Sequence, residues 1–504
     1  MKKKLSVLLL AGMMMFAACG NGSGDTKDPT PTASVVDDAA STPVPEATTA
    51  PETNEAYLQY TFNIAEKYQV IDGFGGAFTW YADQIFRTNN ANGLLDAAFT
   101  DAKLSIIRFK NEYSYSMEGN AGNIGTMLRV YEAAVARAAE YGEEPTILLS
   151  CWSPPANLKS NNSINGGGTL AKHEDGTYMY EEYAQWWVES VQFYRDWGVK
   201  IDYVSIQNEC DFVASYDGCE FGMTESDSYA SYAKAFLAVY DAFQAAFGED
   251  APKMIAPETM TCEPAKLYGY VKDIIDTKPE SIYGVGYHLY IGGDSDEEND
   301  TVKYDSFVWN FLDLESYFGE YGYARWQTEF FRGRGLQTAA LINNAMTQGN
   351  MNAYIYWSAV WPNDAGDFET GELIGIQNGK KINDDGWNLC GDYYAVRHFS
   401  EFIRPGYTRV EASMEGGMSF KNSAYLSEDG KTLVLVVINL GTEEQILQIP
   451  AEGYTVTGSD MYQSVLGIED TSKNVLYENI GALGAGNTVT LPSESITTIV
   501  LSLE

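Results

Sequence analysis

The chain has 504 residues, 45% of them hydrophobic, and a formal charge of −38 at neutral pH. The length exceeds one ordinary domain and is ample for a large core. The charge excludes a basic phosphate-binding face, and with it nucleic acid as a partner, and it disfavours polyanionic substrates.

The first residues, Lys2 to Lys4, precede the apolar run LSVLLLAGMMMFAAC. A basic start, a short apolar core and small residues before Cys19 read as a signal peptide over residues 1–19. The run is too short for a good membrane span. Ala17-Ala18-Cys19 is similar to a bacterial lipobox, with Phe16 where Leu is more usual. Lipidation of Cys19 is therefore expected, with plain secretion as the alternative, and membrane association only through that anchor. Residues 20–55 are rich in Thr, Pro, Ala and acids and almost free of large apolar residues, so they read as a disordered tether.

Beyond the tether, short apolar runs alternate with longer amphipathic ones. Candidate strands fall at 70–78, 104–109, 145–153, 201–208, 253–258, 281–290, 324–331 and 352–360. Helical patterns such as YEEYAQWWVESVQFYRDWG lie between them. Eight strands alternating with helices predict a (β/α)8 TIM barrel over residues 70–404. From 405 to 504 the pattern changes to short alternating segments, including TLVLVVINL and TTIVLSL, as in an antiparallel β-sandwich. Residues 56–69 alternate in the same way. The prediction is a sandwich built from both chain ends around an α/β barrel.

Barrel active sites collect at the C-terminal strand ends. VSIQNECD puts Asn208 and Glu209 just past the fourth candidate strand, and RWQTEFF ends the seventh with Glu329. With 70 acids in the chain, one glutamate at a strand end means little. Two facing each other across one mouth can divide a glycosidic cleavage into nucleophile and general acid/base.

GFGGAFTWYADQI, CWSPPANLKSN, VSIQNECDF, IAPET, GYHLY, WQTEFF and HFSEFIRPGY, in this order, resemble glycoside hydrolase family 30, and the resemblance runs from about Tyr57 to the C-terminus. It implies a retaining glycosidase with Glu209 as acid/base, Glu329 as nucleophile and Asn208 bonded to the sugar 2-hydroxyl. Tyr290 is implied to hold the nucleophile. Trp152, Trp357 and Trp80 follow strands, and the resemblance implies that they contact substrate, with Trp80 the weakest of the three. Arg108 either orients the nucleophile or pairs with any nearby acid, and His288 either lines the site or is a satisfied inner-barrel histidine. His398, in RHFSEF, is expected to be structural. Cys210 stands where the clan has proline after the acid/base, which alters loop stiffness and leaves the carboxylate in place.

HFSEFIRPGY resembles the xylanase branch, so the expected activity is endo-acting cleavage of β-1,4-xylan by a bacterial cell-surface monomer. β-1,6-Glucanase, glucosylceramidase and a non-catalytic glycan-binding protein are the alternatives. The segment after strand eight has no arginine, only Lys380 and Lys381 among acids, so the clamp by which glucuronoxylanases of the family grip a glucuronate branch is missing. Arg332 and Arg334, after strand seven, are the nearest substitutes. The three histidines and the cysteines at 19, 151, 210, 219, 262 and 390 lack zinc-like spacing, so no metal or cofactor is expected. Cys210, Cys219 and Cys262 can lie near one another, but their pairing is not legible.

Overall fold

The computed structural model describes residues 57–114, 117–296, 301–331, 333–450, 453–467 and 474–504. The expected signal peptide with Cys19, the expected tether and Arg332 lie outside the described residues.

Each of the eight apolar runs forms one strand of a closed parallel barrel. In chain order these are Gly73–Ala77, Ile106–Lys110, Thr146–Ser150, Tyr203–Ser205, Lys253–Thr261, Gly284–Ile291, Ala324–Glu329 and Ala353–Tyr356, here barrel strands one to eight. The eighth pairs back onto the first, Tyr354 opposite Phe74 and Tyr356 opposite Gly76. Strand one is glycine-rich because the chain passes its neighbour closely: a Cβ on Gly75 would sit 2.1 Å from the Ile106 carbonyl oxygen. The lower interior is filled by Ile106, Leu148, Ile255, Trp326, Ala353 and Ile355. It is a packed core and not a channel.

The helices pack outside on their apolar stripes. Helix Tyr180–Asp196 buries Tyr183, Trp186, Trp187, Val191 and Tyr194, the three-and-four spacing of one helical face. Helix Tyr232–Phe247 starts where the Ser231 side chain accepts the Lys234 N–H, a side-chain N-cap. Among the described residues no helix is long and apolar enough to cross a membrane.

The second layer is one curled nine-stranded sheet, made of Leu58–Val70 and the strands that follow the barrel. The strand Leu58–Val70 runs antiparallel to Thr408–Met414, from Tyr60 opposite Met414 to Val70 opposite Thr408. Its beginning also pairs in parallel with Gln445–Gln448. The expected sandwich is thus a continuous sheet that folds over at this shared strand. Leu447, Val489 and Leu491 from one arm meet Leu433, Leu435, Val437, Ile499 and Leu501 from the other in a separate core.

His398 fastens barrel to sheet. Its ring nitrogens bond Thr498 Oγ1 and Ser464 Oγ, each at 2.9 Å. Burial, then the neighbouring Arg397, pushes its pKa down to about 3, so the ring stays neutral. Arg404, in the same HFSEFIRPGY segment, pairs with Glu143 at 2.6 Å. That segment is a structural junction. The cysteines at 151, 210, 219, 262 and 390 are all free and buried.

Candidate active site

The mouth of the barrel gathers Arg108 from strand two, Asn208 and Glu209 after strand four, Glu258 from strand five, His288 and Tyr290 from strand six and Glu329 at the end of strand seven. Arg108 is the hub and is fully buried. It donates to Glu329 Oε2 at 2.6 Å, to Asn208 Oδ1 at 2.6 Å and to Ser150 Oγ at 3.2 Å, and it pairs with Glu258 Oε1 at 3.0 Å. A planar guanidinium can serve four partners at once where an ammonium could not. Because Asn208 accepts from Arg108 through its oxygen, its amide N–H groups are the end left to donate elsewhere.

Glu329 also accepts a 2.9 Å bond from the Tyr290 hydroxyl. Glu209 faces it across the mouth with one oxygen 3.0 Å from His288 Nδ1, while Tyr216 OH lies 3.4 Å from the other. A carboxyl oxygen of Glu209 and one of Glu329 lie within 4.8 Å of each other and of a His288 nitrogen. Burial raises the pKa of Glu209, the His288 contact opposes this, and Glu329 adds to the rise. Burial alone would lower that of His288, but Glu329, Glu209 and Glu258 lift it to about 9, which favours the imidazolium. Glu258 moves the other way. Against its burial, Arg108 first and then His288 and Ser205 bring it down to about 2. Arg108 already sets a positive charge against Glu329 and Glu258, which disfavours an added metal cation in this cluster.

Glu209 and Glu258 both sit at positive φ, 48° and 58°. Such backbone costs on the order of 1–3 kcal/mol per residue and concentrates at functional sites. Here it turns the chain at the strand end, and the Glu209 N–H is bonded to the Glu258 carbonyl at 2.8 Å.

Trp80, Trp152 and Trp357 meet one another at ring separations of 5.5, 5.5 and 5.8 Å. Arg108 stacks 4.6 Å over Trp152, which is only 2% exposed, and Trp357 is 8% exposed. Trp80 is the most accessible of the three, and Trp152 lies under the guanidinium. Two mouth residues were not legible beforehand. Glu258 ends the apolar run KMIAPE, a signal shared by many acids, and Tyr216 lies in a loop without periodicity. The segment after strand eight forms three short strands, Val360–Pro362, Ile374–Ile376 and Trp387–Leu389. Lys381 in it pairs with Asp384 at 2.5 Å. Arg334 has Glu369 and Asp392 as electrostatic neighbours.

Comparison with known proteins bears on the barrel that carries this site. The model of the glycosyl hydrolase family 30 TIM-barrel domain matches residues 127–242. The chain is 22% identical over 392 residues to glucuronoxylanase XynC of Bacillus subtilis (strain 168), covering 75% of this chain and 77% of that protein. It is equally 22% identical over 444 residues to endo-1,6-beta-D-glucanase neg1 of Aspergillus fumigatus, covering 79% and 84%. Among solved structures, the catalytic domain of the family 30 xylanase C from Talaromyces cellulolyticus superposes with a TM-score of 0.68 at 20% identity, over 88% of this chain and all of that one. At that identity the superposition speaks for the fold.

Proposed function

From the premise that this chain carries a glycoside hydrolase family 30 domain, we propose that it is a retaining, endo-acting hydrolase of β-1,4-xylan. The observation that carries the retaining hydrolase reading is the carboxylate pair, with oxygens of Glu209 and Glu329 within 4.8 Å. Retaining enzymes need about 5–5.5 Å between the two carboxyls, whereas inverting ones leave room for a water at roughly 6.5–9.5 Å.

In this reading Glu329, held by Arg108 and Tyr290, attacks the anomeric carbon. Glu209, whose burial favours the protonated form, gives its proton to the leaving oxygen and later takes one from water. Asn208 donates to the 2-hydroxyl, a bond that strengthens as the ring approaches an oxocarbenium ion. Trp80, with Trp357 behind it, offers an aromatic face to a pyranose ring.

Xylan is preferred because a glucuronoxylanase stands among the relatives. The HFSEFIRPGY segment gives no further support, since it lies at the barrel–sheet junction. A β-1,6-glucan is the second reading, favoured by the Aspergillus relative at the same identity. Lipidation at Cys19 would hold the enzyme, as a monomer, at a bacterial surface. Detergent partitioning of the wild type that is lost in Cys19→Ala tests this.

The deciding assay measures reducing ends released from xylan and from β-1,6-glucan, with the anomer first formed read by proton NMR. Release from xylan with retained configuration is expected. Activity on the glucan alone would transfer the site to the second reading, and a first-formed inverted anomer would remove the retaining mechanism.

A further inference from the structure

Glu258 is not one of the two acids assigned to the reaction, yet it touches both halves of the machinery. It is wholly buried in barrel strand five. Its Oε1 accepts from Arg108 at 3.0 Å and from Ser150 Oγ at 3.2 Å. Its carbonyl receives the Glu209 N–H. His288 Nε2 lies 4.0 Å from Glu258 Oε1 and 3.9 Å from Glu329 Oε2, while Nδ1 meets Glu209. Glu258 therefore stands behind the two cations that face the catalytic pair.

Charge balance gives it a role. Buried charges persist only when compensated. Arg108 and the His288 imidazolium are two positive charges, and Glu258 and Glu329 supply two negative ones. Glu209 is then the one carboxyl free to carry a proton. Without Glu258, whose carboxylate faces His288 Nε2, two cations would share Glu329 and Glu209 alone, and the imidazolium proton is the one most easily lost.

We propose that Glu258 is a positioning residue that fixes proton placement, holding Arg108 and His288 as cations so that Glu329 is ionised while Glu209 is protonated. The proposal rests on the hydrolase reading for the roles of the two acids, and on geometry alone for the network. The other titratable neighbours do not take over that role. Tyr290, which bonds Glu329, and Tyr216, 3.4 Å from Glu209, are pushed up by burial, as are Cys210 and Tyr232 near Glu258. Asp211, the other charge felt by Glu209, is paired with Lys266 at 2.6 Å.

The test uses the three histidines of the chain, His173, His288 and His398, labelled with carbon-13 and followed by NMR against pH. His288 is expected to titrate near 9 in the wild type and about one unit or more lower in Glu258→Gln. The basic limb of kcat/KM on an aryl β-xyloside should move in the same direction, with kcat reduced and KM nearly unchanged. Glu258→Asp, which keeps the charge but retracts it, should give a smaller shift of the same sign, and it serves as the test if Glu258→Gln does not fold. An unmoved His288 titration in a folded variant overturns the proposal. The histidine readout needs no substrate, so it judges Glu258 even where the wild type cleaves no glycoside, an outcome that would instead overturn the hydrolase reading.

Discussion

Arg108 and Glu329 form a closed pair, the guanidinium of the one shut from water and 2.6 Å from a carboxylate oxygen of the other. Removing one partner of a buried pair leaves an uncompensated charge and costs roughly 3–5 kcal/mol. Arg108→Ala strands Glu258 as well as Glu329, so a loss at the upper end is expected in urea unfolding. Arg108→Lys should recover much of the stability and little activity, because an ammonium cannot hold Glu329, Asn208 and Glu258 together. A wild-type unfolding midpoint for Arg108→Ala would contradict the pairing.

The two acids should fail differently. Glu329→Gln is expected to abolish turnover on every substrate. Glu209→Ala should keep measurable activity on aryl glycosides with good leaving groups, which need no protonation in the first step. Steady-state rates on an activated and an unactivated xyloside decide it, and equal losses for both variants on the activated one would sink the assignment.

A buried acid outside the mouth gives a pH-dependent stability. Glu372, 4% exposed after strand eight, has its pKa pushed up to about 7 by burial, against an opposing bond from Thr370. The folded chain therefore holds this proton more tightly than the unfolded one, and stability falls as pH rises from about 4.5 through 7. Glutamine keeps the acceptor for Thr370 and cannot ionise. Glu372→Gln should be near neutral at pH 4 and more stable than the wild type at pH 8, by up to roughly 2–3 kcal/mol. Thermal unfolding at the two pH values checks the sign.

The strand-eight segment bears on substrate choice. It holds no arginine, and Lys381 is already paired, so a carboxylate branch finds no bidentate donor there. Cleavage is expected to survive enzymatic removal of glucuronate from xylan and to give a mixed product ladder by mass spectrometry. If every product carries one glucuronate at a fixed position, then Arg332 and Arg334 become the first candidates for a clamp.

The eight barrel strands were legible because each is an apolar run ended by polar residues, a pattern that depends only on neighbours in sequence. Glu209 and Glu329 were legible because they terminate such runs on non-adjacent strands. Glu258 was not: an acid after KMIAP looks like any helix-capping glutamate until Arg108, 150 positions earlier in the chain, is seen against it. Exposure was equally hidden. Trp152 and Trp80 both follow strands, and the first is buried under the Arg108 guanidinium and against Trp357. The strands at 360–362, 374–376 and 387–389 are too short to announce themselves by alternation.

The strand Leu58–Val70, shared by the two arms of the curled sheet, sets a timetable for synthesis. Its partners lie at Thr408–Met414 and Gln445–Gln448. At about 5–20 residues per second, this strand emerges tens of seconds before anything it can pair with. The barrel can close in that interval, but the sheet cannot, and a ribosome halted anywhere before residue 408 leaves a thirteen-residue strand with both edges open.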